Sequence, residues 1–225
     1  AGWSLSFVQN DDNFSALGSG PCRALAGKED IFRDIGYKDK FFSTVVVLEV
    51  DQKPPQEIID KVVTDCDISE KNLTVILTPT RSLCGTTQVV GRVLEVGLHK
   101  VHELGFPIDK VVDGFGSAPL PPPAPDFLIG MGRTNDAILY GGLVHLYVDT
   151  PNDDAEELAK RLPSSTSKDY GKPFADIFKE YKYDFYQIDK MLFSPAKVIV
   201  SSLKTGKSYT SGNIDLSLMD NSFNK

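Results

Sequence analysis

The order of apolar and polar residues along this 225-residue chain changes its period several times. Alternation of apolar and polar side chains over residues 3–8 predicts a short strand. Runs rich in β-branched and other apolar residues, typical of buried strands, occupy residues 43–50, 73–78 and 143–148. Residues 56–65 carry helical periodicity after two prolines, so strands and helices alternate. The pattern predicts an α/β fold with layered strand-helix alternation.

A polar, glycine-bearing stretch separates the first predicted strand from the next helix. We expect a loop that ends in Gly18, Ser19 and Gly20, followed by a short helix over residues 22–26. Such a loop presents free backbone amides to an anion. It is also simply a tight strand-to-helix turn, because glycine supplies the backbone freedom that such a turn needs. Both interpretations stay open on the sequence alone.

The stretch PTRSLCGTTQVVGRVLEVGLHKVHELG, residues 79–105, combines a polar loop with an amphipathic helix. The polar edge of this helix carries Arg92, Glu95, His99 and His102, whose spacing stacks them along one stripe. An arginine beside a glutamate can hold a carboxylate ionised and positioned for proton transfer. The sequence therefore singles out Arg92 and Glu95 as candidate catalytic residues.

A less specific interpretation of this stripe is a solvated ion pair, since an Arg and a Glu three residues apart on a helix commonly interact in water. His99 and His102 have a spacing that a metal could use. However, the chain contains three histidines in all and no HExxH-type motif. We therefore expect no metal site.

Three further segments carry proline-rich or polar signals. Residues 117–125 contain five prolines and predict an extended loop or a rigid linker. Residues 130–136 predict a helix or turn, in which Asp136 could bind a ligand or cap a helix. The polar loop over residues 163–174 is rich in hydroxyl and charged groups that suit an anionic or hydroxylated ligand. The candidate substrate-binding residues in these segments are Ser117, Thr134, Asn135, Asp136, Thr166, Ser167, Lys168, Asp169 and Tyr170.

Composition narrows the class of protein. Hydrophobic residues make up 41% of the chain and charged residues 24%, as in ordinary globular proteins. The net charge of −7 leaves no basic footprint for nucleic acid. Cys22, Cys66 and Cys84 lack CxxC spacing and are expected to be reduced thiols. Since no apolar run reaches membrane-spanning length and no signal peptide is evident, we expect a cytoplasmic protein.

The ends of the chain also lead to expectations about its organisation. The strand-like pattern begins at Trp3, almost at the first residue, so we expect a preceding segment that is missing here or supplied as a separate chain. We divide the chain into two α/β regions, residues 1–115 with the Arg–Glu helix and residues 116–225 with the ligand-binding loops. After Ile214 the polar tail is expected to be loosely held.

Four blocks in order along the chain resemble the methenyltetrahydromethanopterin cyclohydrolase family. They are GSGPCRALAG, PTRSLCGTTQVVGRVLE, GMGRTNDAILYGG and SSTSKDYGKPFADIFK, with YDFYQIDKMLFSPA following. The resemblance runs from Ala1 to about Ile214. It implies two α/β domains with the active site in the cleft between them, a homotrimer, and an N-terminal segment before the first strand.

The resemblance also implies a function. Family members interconvert 5,10-methenyltetrahydromethanopterin and 5-formyltetrahydromethanopterin by adding water, in methanogenesis or formaldehyde oxidation, with the pterin as substrate and no cofactor. The catalytic pair of the family lies in a GRxxE motif, which here ends in Glu95 and includes Arg92. Arg81 and Cys84 depart from the family pattern, and their role stays open. The alternative is a non-catalytic pterin- or phosphate-binding subunit.

Overall fold

The chain forms two compact units in a computed structural model that describes residues 2–9 and 12–224. The first unit is Ala1–Thr80 and the second is Arg81–Lys225. Each has its own four-stranded mixed sheet alternating with helices, which confirms the predicted α/β class. The boundary that we placed between residues 115 and 116 falls inside a strand of the second unit, whose pairing continues through it.

The first unit is built on a sheet in which sequence neighbours pair. Its elements are β1 (Trp3–Gln9), β2 (Asp12–Ser19), α1 (Cys22–Ala26), α2 (Asp30–Asp34), β3 (Thr44–Leu48), α3 (Gln56–Cys66) and β4 (Leu73–Leu77). The strand order is β1-β2-β3-β4. The β1–β2 and β2–β3 pairs are antiparallel, whereas β3 and β4 are parallel and are connected through α3.

The core of the first unit forms where α3 packs on the sheet. β3 buries alternate residues, among them Val46 and Leu48. α3 buries Ile58, Val62 and Cys66, whose spacing of four places them on one face of the helix. Removing a large apolar side chain from water contributes about 1.5–3 kcal/mol, so this contact stabilises the unit.

The prediction of a loop after the first strand was wrong, because residues 12–19 form the strand β2. Phe14, Ala16 and Gly18 are buried and alternate with exposed residues, so the segment has the period of a strand. Glycine and serine dilute its apolar signal, which is why the period was missed. Residues 10 and 11 of the predicted loop lie outside the described residues. Gly18 and Ser19 thus belong to β2, and only Gly20 remains in the turn before α1.

The second unit has a sheet with one parallel pair at its centre. Its elements are α4 (Leu83–Val90), α5 (Val93–Glu103), β5 (Val111–Ser117), α6 (Phe127–Leu139), β6 (Leu143–Val148), α7 (Asn152–Arg161), α8 (Phe174–Glu180), β7 (Lys197–Ser202), β8 (Ser208–Gly212) and α9 (Leu216–Phe223). The strand order is β5-β6-β7-β8, with β6 and β7 parallel and the outer pairs antiparallel. β6 matches the strand predicted for residues 143–148.

Two expectations for this unit were wrong. The single helix expected in the 79–105 stretch is divided into α4 and α5, with Gly91 and Arg92 between them. The tail after Ile214 is held, because α9 buries Met219 in a cluster that includes Tyr140. Serine and asparagine obscured the apolar face of α9, so its sequence looked polar throughout.

The proline-rich segment packs within the second unit. Arg133 of α6 is 8% exposed, and its Nη1 donates hydrogen bonds to the carbonyls of Pro122 (3.3 Å) and Pro123 (2.9 Å). The segment has no regular secondary structure, in agreement with the predicted extended loop. Within residues 2–9 and 12–224, no helix is both long and apolar enough to cross a membrane.

Candidate active site

Arg92 and Glu95 form a bidentate ion pair in the second unit. Arg92 Nε lies 2.6 Å from Glu95 Oε2, and Arg92 Nη2 lies 2.8 Å from Glu95 Oε1. Two parallel charge-assisted hydrogen bonds of this kind fix both the distance and the plane of the carboxylate. The two side chains are 22% and 36% exposed, so the pair is partly enclosed yet open to a small molecule. The pairing expected from their spacing is present.

The backbone between α4 and α5 sets the position of the arginine. The Gly91 amide donates to the Thr87 carbonyl (2.9 Å), and a Cβ atom at Gly91 would lie only 3.0 Å from that oxygen. Arg92 has φ −89° and ψ 14°, outside the helix, while its carbonyl accepts the amide of Val96 (2.9 Å). Arg92 is therefore the N-cap residue of α5, and Glu95 lies in the first turn of that helix.

Glycines in β5 allow the start of α5 to lie directly on the sheet. A Cβ atom at Gly116 would lie 2.9 Å from Val93 Cγ1, and one at Gly114 would lie 3.0 Å from Leu94 Cδ1. A side chain at either position would push the helix away. The next residue of β5, the candidate Ser117, is exposed and directly follows this contact. Packing thus places Ser117 near the start of the helix that carries the ion pair.

The first residues of the predicted ligand loop are engaged with the protein itself. Thr166 Oγ1 accepts a hydrogen bond from Lys100 Nζ (2.8 Å). Ser167 is buried, and its hydroxyl donates to Asp189 Oδ2 (2.7 Å). The Lys168 amide lies 3.3 Å from the same oxygen, whereas the Lys168 residue is exposed. Of these candidates, Lys168 is the best placed to meet a ligand.

Asp169 and Tyr170 continue this pattern. Asp169 accepts hydrogen bonds from the hydroxyl of Tyr181 (2.9 Å) and from the amide of Asp189 (2.9 Å). Tyr170 packs edge-on against Tyr140, with ring centroids 5.2 Å apart. The density of donors and acceptors that suggested a ligand is therefore used largely to hold the loop in one conformation.

The three polar candidates on α6 have different environments. Asp136 is fully buried, and its Oδ1 accepts the amide of Phe174, the first residue of α8, at 2.9 Å. Thr134 is buried and donates to the Met131 carbonyl (3.1 Å). The side-chain amide of Asn135 donates to the same carbonyl (2.8 Å) but is only partly buried. Asp136 acts as a cap, although the helix that it caps is α8.

Gly18, Ser19 and Gly20 belong to the first unit. Gly18 and Ser19 are paired in the sheet, with Leu48 and Val47 as partners. Gly20 has φ +92°, and a Cβ atom there would lie 2.9 Å from the Val45 carbonyl oxygen. This geometry requires glycine and supports the tight-turn interpretation of the motif.

The histidines of α5 do not assemble a metal centre. His99 Nε2 lies 3.8 Å from Glu103 Oε1, and burial lowers the pKa of His99. In the described ranges, no group of three or more His, Cys, Asp or Glu side chains is placed to hold a metal ion. Arg81 and Cys84 are both exposed near the start of α4.

The sequence reasoning missed Lys100, which is fully buried in α5. Its Nζ donates to the Pro163 carbonyl (2.7 Å) and to Thr166 Oγ1. Burial lowers the pKa of Lys100 to about 8, against the opposing effect of the Asp189 carboxylate. A signal was available, because Lys100 occupies the buried stripe of the helix together with Val93 and Gly97.

The fold and this ion pair define an α/β protein with a candidate acid–base site at the start of a helix. A family model described as "Cyclohydrolase (MCH)" matches residues 1–223, and the chain belongs to this family. The family recognised from the four sequence blocks is thereby confirmed.

Several curated relatives named methenyltetrahydromethanopterin cyclohydrolase match almost the whole chain. The relative from Methylobacillus flagellatus is 59% identical over 223 residues, which cover 99% of this chain and 67% of the relative. The relative from Methylosinus trichosporium is 52% identical, with 99% of this chain and 84% of the relative covered. The relative from the methanogen Methanothermobacter marburgensis is 46% identical over 226 residues, which cover 99% of this chain and 69% of the relative.

Proposed function

We propose that the chain catalyses the reversible hydrolysis of 5,10-methenyltetrahydromethanopterin to 5-formyltetrahydromethanopterin, with Glu95 as the base and Arg92 as the residue that orients it. The bidentate Arg92–Glu95 pair carries this proposal, since it occupies the GRxxE motif of a chain that belongs to the cyclohydrolase family. The names of the relatives supply the substrate.

The reaction requires a positioned water and a base. The methenyl carbon of the substrate lies between two nitrogens that share a positive charge, so it is already electrophilic. Water adds to this carbon and loses a proton, and one carbon–nitrogen bond of the tetrahedral intermediate then breaks. Holding the water and the base in reactive geometry is therefore the main task of the protein. Glu95 receives the first proton from water and delivers it to the departing nitrogen, and the hydroxyl proton of the intermediate is released to solvent as the carbon–nitrogen bond breaks and the formyl carbonyl forms.

Arg92 suits the orienting role because its guanidinium is a rigid fork. Both oxygens of Glu95 are within 2.8 Å of guanidinium nitrogens, so rotation of the carboxylate is restricted. Lysine offers a single point charge and would leave that rotation free. With 36% of the Glu95 side chain exposed, a water molecule can reach this residue.

The binding groups divide into exposed and supporting residues. The substrate ends in an anionic, phosphate-bearing tail. Ser117, Asn135 and Lys168 are exposed or partly exposed, which supports contact with the pterin or with this tail. Thr134, Asp136 and Ser167 are buried, which favours a supporting role. Asn135 suits the amino-pyrimidinone edge of the pterin, and Lys168 suits the anionic tail. A homotrimer, implied by the resemblance, is part of the proposal, and analytical ultracentrifugation of the chain measures it.

The test is the loss of methenyltetrahydromethanopterin absorbance with the wild-type chain and with Glu95→Gln. Loss of a well-placed base lowers turnover about 10²–10⁴-fold. The matched control is Glu156→Gln, which removes a carboxylate that pairs with Lys160 one turn along α7 (2.7 Å). Glu156→Gln should keep wild-type turnover. Methenyltetrahydrofolate serves as the substrate control.

Each outcome of this test has a distinct meaning. A Glu95→Gln rate within tenfold of wild type would remove Glu95 from the role of base. A folded wild-type chain that binds the pterin without hydrolysing it would favour the binding-subunit alternative. In that case, adding as a separate polypeptide the part of the M. flagellatus relative that the match does not cover tests whether a second chain completes the site.

A further inference from the structure

Lys100 has an environment that core packing does not explain. It is fully buried in α5, five positions after Glu95. A buried ammonium is costly unless it is fully hydrogen-bonded, and a methionine or leucine would fill the same space without that cost. The hydrogen-bonding partners of Lys100 therefore indicate what the residue does.

The partners of Lys100 lie at the beginning of the candidate ligand loop. The Nζ atom is 2.7 Å from the Pro163 carbonyl oxygen and 2.8 Å from Thr166 Oγ1. Thr166 Oγ1 also lies 3.0 Å from the Arg161 carbonyl and 2.9 Å from that of Pro163, so its own proton has an acceptor. The Lys100 ammonium therefore attaches residues 163 and 166 to α5 directly, and residue 161 through the Thr166 hydroxyl.

A second attachment point lies further along the same loop. The Asp189 carboxylate accepts the Ser167 hydroxyl (2.7 Å) and the Lys168 amide (3.3 Å). The next residue, Lys190, returns to α5, where its Nζ lies 3.5 Å from Glu103 Oε1. The loop is therefore attached to the Glu95 helix directly through Lys100 and indirectly through Asp189. The Lys168 amide is part of this second attachment, whereas the residue itself is exposed and within reach of a ligand.

We propose that Lys100 is a positioning residue that fixes the loop of residues 163–170 relative to the Glu95 helix, so that this loop receives the anionic tail of the substrate while Glu95 faces the reacting carbon. This inference rests on the proposed function and adds a residue that acts through Thr166 and the loop. Lys100 touches neither the substrate nor the reacting atoms.

Lys100→Met tests the proposal, because it keeps the length and apolar bulk of the side chain and removes the donor. We expect at least a tenfold higher KM for methenyltetrahydromethanopterin and a kcat within threefold of wild type. For the same pterin cut before its phosphate, the KM of the variant should stay within threefold of the wild-type KM. If Lys100 only stabilised the fold, the variant would raise KM for both substrates to the same extent. The comparison of the two KM values therefore separates positioning of the loop from packing.

Variants of Thr166 extend the test, including the case in which Lys100→Met does not fold. Thr166→Val removes the hydroxyl that accepts from Lys100 and should raise KM in the same selective way. Thr166→Ser keeps the hydroxyl and should restore wild-type KM. Thr64→Val, the same change at an exposed position of α3 in the first unit, is the control and should leave KM and kcat unchanged.

Amide hydrogen exchange gives a readout that does not depend on activity. The amides of Thr166 and Ser167 donate within the turn, to Pro163 (3.2 Å) and Ser164 (3.0 Å). Both should exchange at least tenfold faster in Thr166→Val than in wild type, whereas Thr166→Ser should match wild type.

The possible results separate this inference from the proposed function. A wild-type chain that stays inactive even after the uncovered part of the M. flagellatus relative is added would refute the function and, with it, the role assigned to the loop. An active wild type whose Lys100→Met or Thr166→Val variant shows unchanged KM and unchanged exchange would overturn the inference alone. A fall in kcat with unchanged KM would also overturn it, because Lys100 would then act on the chemical step.

Discussion

Arg92 lies one residue outside the helix that carries Glu95, yet its guanidinium makes two hydrogen bonds to that carboxylate. The arginine is therefore positioned by the bend after Gly91, and the glutamate by the first turn of α5. A pair that is anchored by two backbone conformations is less free to move than two side chains on one exposed helix.

Replacement of Arg92 by lysine tests the value of this geometry. We expect Arg92→Lys to lower kcat about 10²-fold, because misplacement of a catalytic group by about 1 Å costs that much, while KM changes little. The control is Arg161→Lys on α7, where Arg161 Nε lies 3.9 Å from Glu157 Oε1 in an exposed contact. Steady-state kinetics of both variants measure kcat and KM. An unchanged kcat in Arg92→Lys would mean that the pair is only a surface contact.

Asp136 should prove to be a structural residue. Asp136→Ala removes the acceptor for the buried Phe174 amide and should lower the free energy of unfolding by about 1–3 kcal/mol. Asp136→Asn keeps an oxygen at this position and should cost less. Asn135→Ala, at the partly buried neighbour, should change stability little and raise KM instead. Urea unfolding and steady-state kinetics of the three variants measure both effects, and a stable Asp136→Ala protein with raised KM would contradict the assignment.

Two glycines at the contact between α5 and the sheet, Gly97 of α5 and Gly116 of β5, should respond in opposite ways to alanine. Gly116→Ala places a methyl 2.9 Å from Val93 Cγ1 and 3.1 Å from Val144 Cγ2. This overpacking should lower the free energy of unfolding by about 1–3 kcal/mol. It should also lower turnover, because α5 shifts. Gly97→Ala makes ordinary contacts of 3.4 and 3.5 Å with Val144 and removes a helix-interior glycine, which favours folding by up to about 1 kcal/mol. Thermal unfolding of both variants checks the contrast; equal effects would mean that helix and strand are not in close contact.

Cys22 should make the protein less stable at alkaline pH. Burial, helped by the neighbouring Cys66, raises the pKa of Cys22 from 9.0 to about 12. Below about pH 8 the thiol is protonated in both states and contributes no pH dependence. Between pH 9 and 12 the unfolded chain ionises first and binds fewer protons, so the free energy of unfolding falls by up to about 1.4 kcal/mol per pH unit.

Comparison with Cys22→Ala isolates this effect. The difference in unfolding free energy between wild type and Cys22→Ala should stay constant up to about pH 8 and then shift in favour of the variant as pH rises. Cys84→Ala is the control, because Cys84 is exposed and should leave the pH profile of wild type unchanged. Urea unfolding in reducing buffer at several pH values measures both differences, and parallel wild-type and Cys22→Ala profiles would refute the prediction.

Local patterns of apolar and polar residues were sufficient to predict much of the fold. β6 matches its predicted bounds, and the runs at β3 and β4 lie within the predicted strands, because side chains that alternate or repeat on one face record which face is buried. The Arg92–Glu95 pair was found for the same reason, since residues three apart lie near each other whenever a helix forms around them. β2 escaped notice because its buried positions include alanine and glycine, which carry little apolar signal.

By itself, the sequence determined the α/β class, the family and the Arg92–Glu95 pair, all of which depend on residues close together in the chain or on blocks in a fixed order. Only the tertiary structure decided what the polar loop of residues 163–170 does with its side chains. Lys100 and Thr166 are 66 positions apart, and no local periodicity relates them. Burial of an ammonium against that loop follows from how α5 packs in the second unit, which is a property of the folded chain as a whole.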